Sequence, residues 1–158
     1  MKHVLCIAAL FLLSLATVAA QGEDDFAARI ISKYGKAYSL SCKTVGPEMM
    51  KTILKSKLAG NEETADLLKQ IKTMRVIFAT FDDEGKGSSL YTKTRRLAER
   101  NSQRYTLTSS TDDSCLFTRR SAGGLKEVVY CQADTDLFIL VDITGTMTDS
   151  FLQQIVKH

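Results

Sequence analysis

The fold is decided by residues 105–143, YTLTSSTDDSCLFTRRSAGGLKEVVYCQADTDLFILVDI, where apolar and polar side chains alternate with a period of two. Such alternation is typical of β-strands that bury one face. Turn-forming residues divide the stretch into four predicted strands: Tyr105–Ser110, Cys115–Arg120, Leu125–Gln132 and Leu137–Ile143. Because links this short join antiparallel neighbours, the stretch predicts a four-stranded meander in the C-terminal half of the chain.

Folding the second and third strands about Gly123 gives a register that brings matching side chains together. Three pairs then face each other: Cys115 with Cys131, Phe117 with Val129, and Arg119 with Glu127. Directly opposed Cα atoms lie about 4.5–5.5 Å apart, which is within the range of a disulfide. Cys115 and Cys131 are therefore a candidate disulfide in an oxidising compartment. Two buried free thiols, or a bulge at Gly123 and Gly124 that shifts the register, are the alternatives.

The rest of the chain is mainly helical by the spacing of its apolar residues. Five helices are predicted: Phe26–Tyr34, one from Pro47 that Gly60 and Asn61 end, a short one across Ala65–Ile71, Ser88–Asn101, and a C-terminal one across Phe151–Val156. Two further strands are predicted at Tyr38–Thr44 and Met74–Phe81. This order predicts an α+β fold with a mostly antiparallel sheet and helices packed on one face. Phe78, Ile139 and Phe151 are expected in its core.

The N-terminus has the pattern of a cleavable signal peptide at residues 1–20. A charged start at Lys2 precedes an apolar run, and small residues end with Ala20. The run is too short to span a membrane, which takes roughly 20 apolar residues. Cys6 lies near the start of the run, where a lipoprotein cysteine would not, so we expect no lipid anchor. We expect one soluble domain at residues 21–158, periplasmic or secreted after cleavage near Ala20.

Composition excludes several classes of function. Loss of Lys2 with the signal peptide lowers the formal net charge from +3 to +2, which indicates no nucleic-acid partner. The one histidine left is the C-terminal His158, and a chain end is a poor place for a catalytic base or a zinc ligand. No further segment is apolar enough to span a membrane. We therefore predict no catalytic residues, no metal site and no cofactor.

Several segments together resemble a known family. They are the Phe26–Tyr34 helix, the polar strand leading to Met49 and Met50, the Met74–Phe81 strand, the Leu125–Val129 strand, and the closing run Leu137–Gly145 with Thr148 and Phe151. In this order they resemble the domain-of-unknown-function family numbered 4252, small exported proteins of Gram-negative bacteria. The resemblance implies an extracytoplasmic α+β domain and implies no catalytic motif. Many relatives are lipid-anchored, and this chain departs from them because its signal does not end in cysteine.

One basic cluster is a candidate binding site for an anion. It loads the Ser88–Asn101 helix and its exit with positive charge, through Lys93, Arg95, Arg96, Arg100 and Arg104. Such a cluster can hold a phosphate, an anionic lipid headgroup or an acidic glycan. A solvated helix face, partly neutralised by Glu99, is the alternative.

Taken together, these patterns predict a non-catalytic envelope protein that binds another envelope protein or a small ligand. The alternative is a hydrolase that uses carboxylates alone, which needs two acids about 5–10 Å apart across a cleft. Asp142 is the residue that would separate them, because it lies within an apolar strand. Its carboxylate either points to solvent or lies in a pocket with a raised pKa. A thiol–disulfide protein is disfavoured because the chain has no Cys-x-x-Cys motif.

Overall fold

The computed structural model of the protein describes residues 25–55 and 62–156. Several predicted features lie outside these residues. They are the signal peptide at residues 1–20 with its cleavage site near Ala20, the helix end at Gly60 and Asn61, and His158.

Five helices and six strands make up the described part of the chain. In chain order they are α1 (Phe26–Tyr34), β1 (Ser41–Val45), α2 (Pro47–Lys55), α3 (Glu62–Lys69), β2 (Ile71–Thr80), α4 (Lys86–Glu99), β3 (Thr106–Ser110), β4 (Ser114–Ser121), β5 (Gly124–Ala133), β6 (Leu137–Met147) and α5 (Asp149–Val156). All six strands form one antiparallel sheet, which confirms the predicted α+β class and the antiparallel sheet.

The strands lie in the order β1-β2-β6-β5-β4-β3. Strands β3 to β6 are neighbours in chain order, and β2 joins them by pairing with β6. The register predicted for β4 and β5 is confirmed from Cys115, which faces Cys131, to Arg119, which faces Glu127. Beyond Arg119 a bulge shifts the pairing by one residue.

Helices cover both faces of the sheet, so the prediction of helices on one face is wrong. One face packs against α2, α3 and α5 and is here called the apolar face; it carries Met74 and Val76. The other packs against α1 and α4 and carries Ile77. We call it the carboxylate face, because Glu127 and Asp142 point from it toward α1. The physical reason is that the central strands are apolar at both alternating sets of positions, so each face needs a cover.

Of the three residues predicted in the core, Phe151 is in it, Ile139 packs against it, and Phe78 is less well covered. Phe151 is 2% exposed, whereas Phe78 and Ile139 are half-buried. Phe78 pairs with Ile139 at one end of the apolar face. Helices α3 and α5 adjoin the other end, because α3 leads into the first residue of β2 and α5 follows the last residue of β6. The partial exposure of Phe78 and Ile139 follows from their position at the end of the face away from these two helices.

Candidate functional site

Three buried carboxylates meet the first turn of α1. Glu127 accepts a hydrogen bond from the backbone N–H of Phe26 at 2.8 Å, and Asp142 accepts one from the N–H of Ala27 at 2.7 Å. Asp25 caps the same turn by accepting from the N–H of Ala28 at 2.8 Å. The first N–H groups of a helix have no partner within the helix and carry its positive dipole end, so carboxylates stabilise them. Two strands of the sheet thus hold α1 by its N-terminus.

Arginine and tyrosine side chains complete the cluster. Arg75 pairs with Asp25 at 3.0 Å, and Arg119 pairs with Glu127 at 2.5 Å. The hydroxyl of Tyr105 lies 3.2 and 3.3 Å from the two carboxylate oxygens of Glu127. Glu127 is therefore fully buried but well supplied with donors. Charge-assisted hydrogen bonds of this kind are shorter and stronger than neutral ones.

Asp142 accepts fewer hydrogen bonds than Glu127 does. Burial, followed by the negative charge of Glu127, raises the pKa of Asp142 well above its usual value, although the N–H of Ala27 opposes the shift. Its second oxygen, Oδ1, makes no hydrogen bond within the described residues. Asp142 is 1% exposed, so of the two predicted alternatives the solvent-facing one is wrong. Asp142 and Glu127 share a buried cluster under α1, and neither lines the clefts described next.

A cleft of about 350 Å³ opens where the strands are irregular, and we call it the strand-end cleft. Its lining residues are Lys72, Arg119, Ser121, Lys126, Thr144, Gly145 and Thr146. Both lysines are extra residues at register shifts: Lys72 has no partner on β6, and Lys126 has none on β4. Bulges of this kind redirect a side chain out of the regular alternation of a strand. The irregular pairing is therefore what brings the two lysines to one cleft.

Gly145 allows the chain to pass close to the residue before β2. A Cβ atom built at Gly145 would lie 2.1 Å from the carbonyl oxygen of Gln70. The same carbonyl accepts a hydrogen bond from the N–H of Thr146 at 3.0 Å. Side chains larger than hydrogen cannot fit at this contact, so glycine maintains the shape of the cleft floor.

Positive charge dominates the strand-end cleft. Three of its lining side chains are cationic, and its lining residues include no carboxylate. Arg119 is neutralised by Glu127, whereas Lys72 and Lys126 form no ion pair with any residue in the described ranges. Hydroxyl groups of Ser121, Thr144 and Thr146 line the same cleft and can donate hydrogen bonds. This combination suits an anionic group.

The structure splits the predicted basic cluster into separate environments. Arg95 and Arg96 line a second cleft, of about 430 Å³, together with Glu99, Asp112 and Asp113, and Arg95 pairs with Glu99 at 2.8 Å. Lys93 instead lies over the ring of Tyr38, at 5.0 Å from its centre, and Arg104 lies 5.6 Å from the ring centre of Tyr105. Arg100 follows the end of α4 and is exposed. The structure thus brings two of the five cationic residues together, beside three acids.

Cys115 and Cys131 are free, buried thiols that face each other across β4 and β5. No disulfide joins them in this structure, although the register that favours one is present. Among the described residues, no group of three or more histidine, cysteine, aspartate or glutamate side chains is arranged to hold a metal ion.

Comparison with known proteins identifies the family of the chain. A family model described as a domain of unknown function (DUF4252) matches residues 34–155. The chain belongs to the DUF4252 family. No curated protein and no solved structure matches it. The resemblance that the sequence predicted is therefore confirmed. No helix in the described part of this DUF4252 chain is long and apolar enough to cross a membrane.

The matched range bears differently on the two polar features of this DUF4252 chain. All lining residues of the strand-end cleft lie within residues 34–155, as do Glu127 and Asp142. The first turn of α1, which binds those two carboxylates, precedes the matched range.

Sequence patterns missed the strand-end cleft almost entirely. Lys72, Arg119 and Lys126 lie on three different strands, and no spacing rule links them. One signal was present, because the predicted register had already placed Arg119 opposite Glu127. The bulges at Lys72 and Lys126 could not be recognised in the sequence, because each adds only one polar residue to the alternating pattern of its strand.

Proposed function

We propose that this chain is an exported, non-catalytic binding domain that holds a small anionic ligand in the strand-end cleft. The observation that supports this most directly is the placement of Lys72 and Lys126, two bulge residues without ion-pair partners among the described residues. Bulges tend to occur next to functional sites, where they redirect a side chain. The ligand carries a phosphate or a carboxylate group, since these anions match lysine and arginine donors.

The size and the floor of the cleft also support a small ligand. A volume of about 350 Å³ is within the roughly 300–1,000 Å³ of ligand sites in proteins. Arg119 forms part of the wall and is held from below by Glu127, which is itself fixed by the N–H of Phe26 and by Tyr105. A pre-positioned donor loses little conformational freedom when a ligand binds.

The non-catalytic part of the proposal rests on the chemistry of the lining residues. The residues that line the strand-end cleft include no carboxylate, cysteine or histidine that could act as a base or a nucleophile. The carboxylates needed for the hydrolase alternative are held by the first turn of α1 instead. The geometry therefore supports binding better than hydrolysis.

Export is supported by the pattern of residues 1–20, with its charged start, apolar run and small-residue end. We expect a periplasmic or secreted protein without a lipid anchor, whose mature N-terminus lies at Gln21 or within two or three residues of it. Intact-mass measurement on protein purified from the cell envelope or the medium tests this. A mass that retains residues 1–20 would overturn the export part of the proposal.

Calorimetric titration with inorganic phosphate and with succinate tests the binding part. We expect saturable binding of at least one of these anions, weakening with added salt as screening increases. The double variant Lys72→Gln, Lys126→Gln should bind about ten-fold more weakly or worse, which is about 1.4 kcal/mol.

A matched control is the double variant Lys51→Gln, Lys86→Gln, which removes two exposed lysines that are paired to acidic neighbours and do not line the cleft. Its affinity should equal that of the unaltered protein. Equal losses in both double variants, or no saturable binding of either anion, would contradict the proposal.

A further inference from the structure

Two cysteines face each other on the carboxylate face, away from the strand-end cleft. Cys115 on β4 pairs with Cys131 on β5, and both side chains point toward α4. They are 2% and 0% exposed. Directly opposed residues on antiparallel strands have Cα atoms about 4.5–5.5 Å apart, a separation that a disulfide can bridge. Bond formation therefore needs side-chain rotation rather than rearrangement of the sheet.

The surroundings of the two sulfurs differ sharply. Cys115 contacts the hydroxyl of Tyr91 on α4, and Tyr91 lines the cleft of about 430 Å³ together with Arg95. Cys131 is enclosed by the core residues beneath α4. Tyr91 is therefore the side chain between the cleft and Cys115, whereas Cys131 is 0% exposed and contacts Cys115.

We propose that Cys115 and Cys131 form a reversible dithiol–disulfide pair, in which Cys115 reacts with an external disulfide and Cys131 then closes the bond. The external partner is a small disulfide such as oxidised glutathione, or the disulfide of an exported oxidoreductase. The proposal is independent of anion binding in the strand-end cleft.

The exchange proceeds in two balanced steps. Cys115 loses its proton to solvent, and its thiolate attacks one sulfur of the external disulfide, breaking that bond. One external thiolate leaves and takes up a proton, while Cys115 holds the other half as a mixed disulfide. Cys131 then loses its proton and attacks the sulfur of Cys115, releasing the second external thiol. In total the two cysteines lose two electrons and two protons, and the external disulfide gains them.

The electrostatics of the pair also favour Cys115 as the cysteine that reacts first. The side chain of Cys131, the hydroxyl of Tyr91 and the positive charge of Arg95 lower the pKa of Cys115, with burial opposing them. Burial raises the pKa of Cys131 well above its usual value, and the neighbouring Cys115 raises it further. Cys115 therefore forms the thiolate first, and the thiolate is the nucleophile. A mixed disulfide at Cys115 is neutral. The negative charge of the Cys115 thiolate is then gone and no longer opposes ionisation of Cys131.

Thiol counting in glutathione buffers tests the pair. The mature protein is equilibrated at increasing ratios of oxidised to reduced glutathione, alkylated while folded and again after unfolding, and weighed. We expect two thiols to disappear together, with Cys42 remaining, and both to return when reduced glutathione is restored. The Cys42→Ser variant should also lose two thiols. Three alkylated cysteines at the most oxidising ratio would overturn the proposal.

Two single variants test the direction of the reaction. Cys131→Ser should accumulate one bound glutathione at Cys115, because no second thiol is present to displace it. Cys115→Ser should acquire glutathione at Cys131 at least ten-fold more slowly. Equal rates in the two variants would overturn the assigned order, and circular dichroism together with urea unfolding would show whether either variant had lost its fold.

Tyr91→Phe in the Cys131→Ser background removes the hydroxyl beside Cys115 and keeps the ring. It should slow glutathione transfer several-fold and move the pH dependence of that rate to higher pH. Tyr130→Phe is the matched control, because the hydroxyl of Tyr130 donates to Gln132 at 2.7 Å on the other face of the sheet. Equal slowing in both variants would remove Tyr91 from the mechanism.

Discussion

The two faces of the sheet are both covered by helices, but they are built differently. On the apolar face, α2, α3 and α5 pack through aliphatic, methionine and aromatic side chains. On the carboxylate face, α1 and α4 pack over a core that also includes Asp25, Glu127, Asp142 and the two thiols. Every buried carboxylate of the described residues is on this second side. The comparison shows one chain using two means to dock helices on a single sheet.

The difference has consequences for specificity. Apolar contacts are not directional, so they position a helix through the shape of the packed side chains rather than through paired groups. Hydrogen bonds from the first turn of α1 to Glu127 and Asp142 hold the position and the orientation of that helix. Burying a carboxylate is costly unless it is paired. A helix docked in this way is therefore stable only at the position where its N–H groups meet the carboxylates. Both sites inferred from the structure include side chains of the carboxylate face: Arg119, which pairs with Glu127, in one and the two thiols in the other.

The largest effect is expected from Phe151→Ala on the apolar face. Phe151 is 2% exposed, and removing a buried phenylalanine side chain costs about 3–5 kcal/mol. Because the loss involves no titrating group, it should be the same at pH 5 and pH 8. Urea unfolding at both pH values measures it. Val156→Ala on the same helix is the control: Val156 is exposed, so the cost should be under about 0.5 kcal/mol. A strongly pH-dependent loss at Phe151 would contradict the contrast between the faces.

Glu127→Gln, on the carboxylate face, should lower the free energy of unfolding of the protein by about 2–3 kcal/mol. Glutamine can still accept from the N–H of Phe26, but it no longer neutralises Arg119. Glu99→Gln is the matched control, since Glu99 pairs with Arg95 on an exposed helix surface and such pairs contribute less than about 1 kcal/mol. Chemical unfolding of both variants makes the comparison. Similar losses in the two would show that the buried cluster does not hold α1.

Much of the sheet could be predicted from the sequence, because local alternation is visible in it. The strands from Thr106 to Met147 and the facing pairs Cys115–Cys131 and Arg119–Glu127 follow from a period of two and short turns. The covering of both faces was predictable in part from Met74–Phe81, where apolar residues occupy both sets of positions. It was missed because only one covering layer was assumed.

The polar features were harder to predict, because they depend on distant contacts. Asp142 is an acid within an apolar strand, and nothing in the local sequence shows that it is buried and accepts a hydrogen bond from the N–H of Ala27. The strand-end cleft depends on two bulges, and a bulge is set by how two strands pair rather than by either strand alone. The basic residues of α4 were close in sequence, but helix geometry directs Lys93 and Arg95 to different neighbours.

Phe78→Ala should cost about 1–2 kcal/mol, clearly less than Phe151→Ala, because Phe78 is half-buried. Its ring faces Ile139 and the amine of Lys43, at 6.0 Å from the ring centre, at the end of the apolar face farther from α3 and α5. Thermal unfolding of the two variants side by side is sufficient. A loss at Phe78 that equals the loss at Phe151 would show that this end of the face is covered as well as the other.

The smallest loss is expected for Asp142→Asn, and its sign should change with pH. The pKa of Asp142 is raised in the folded protein by burial and by Glu127, whereas an unfolded aspartate has a pKa of about 3.9. Below that value both states are protonated, and the neutral folded carboxyl carries no ionisation penalty. As pH rises, the unfolded state loses the proton first, so the unaltered protein becomes less stable until pH passes the folded pKa.

Asparagine keeps the oxygen that accepts from Ala27 and cannot ionise, so this loss with pH should be absent in the variant. At pH 4 the two proteins should differ by less than about 1 kcal/mol, because one buried unpaired donor replaces another. Toward pH 8 the variant should become the more stable, by about 1.4 kcal/mol for each pKa unit over which the folded carboxyl stays protonated. Unfolding measured from pH 4 to pH 8 gives the difference curve, and Phe151→Ala, which removes no titrating group, is the reference for it. A flat difference curve for Asp142→Asn would show that the carboxylate of Asp142 is ionised in the folded protein. The carboxylate face would then hold its acids as charges, and Asp142 would need a cation partner that the contacts with α1 do not provide.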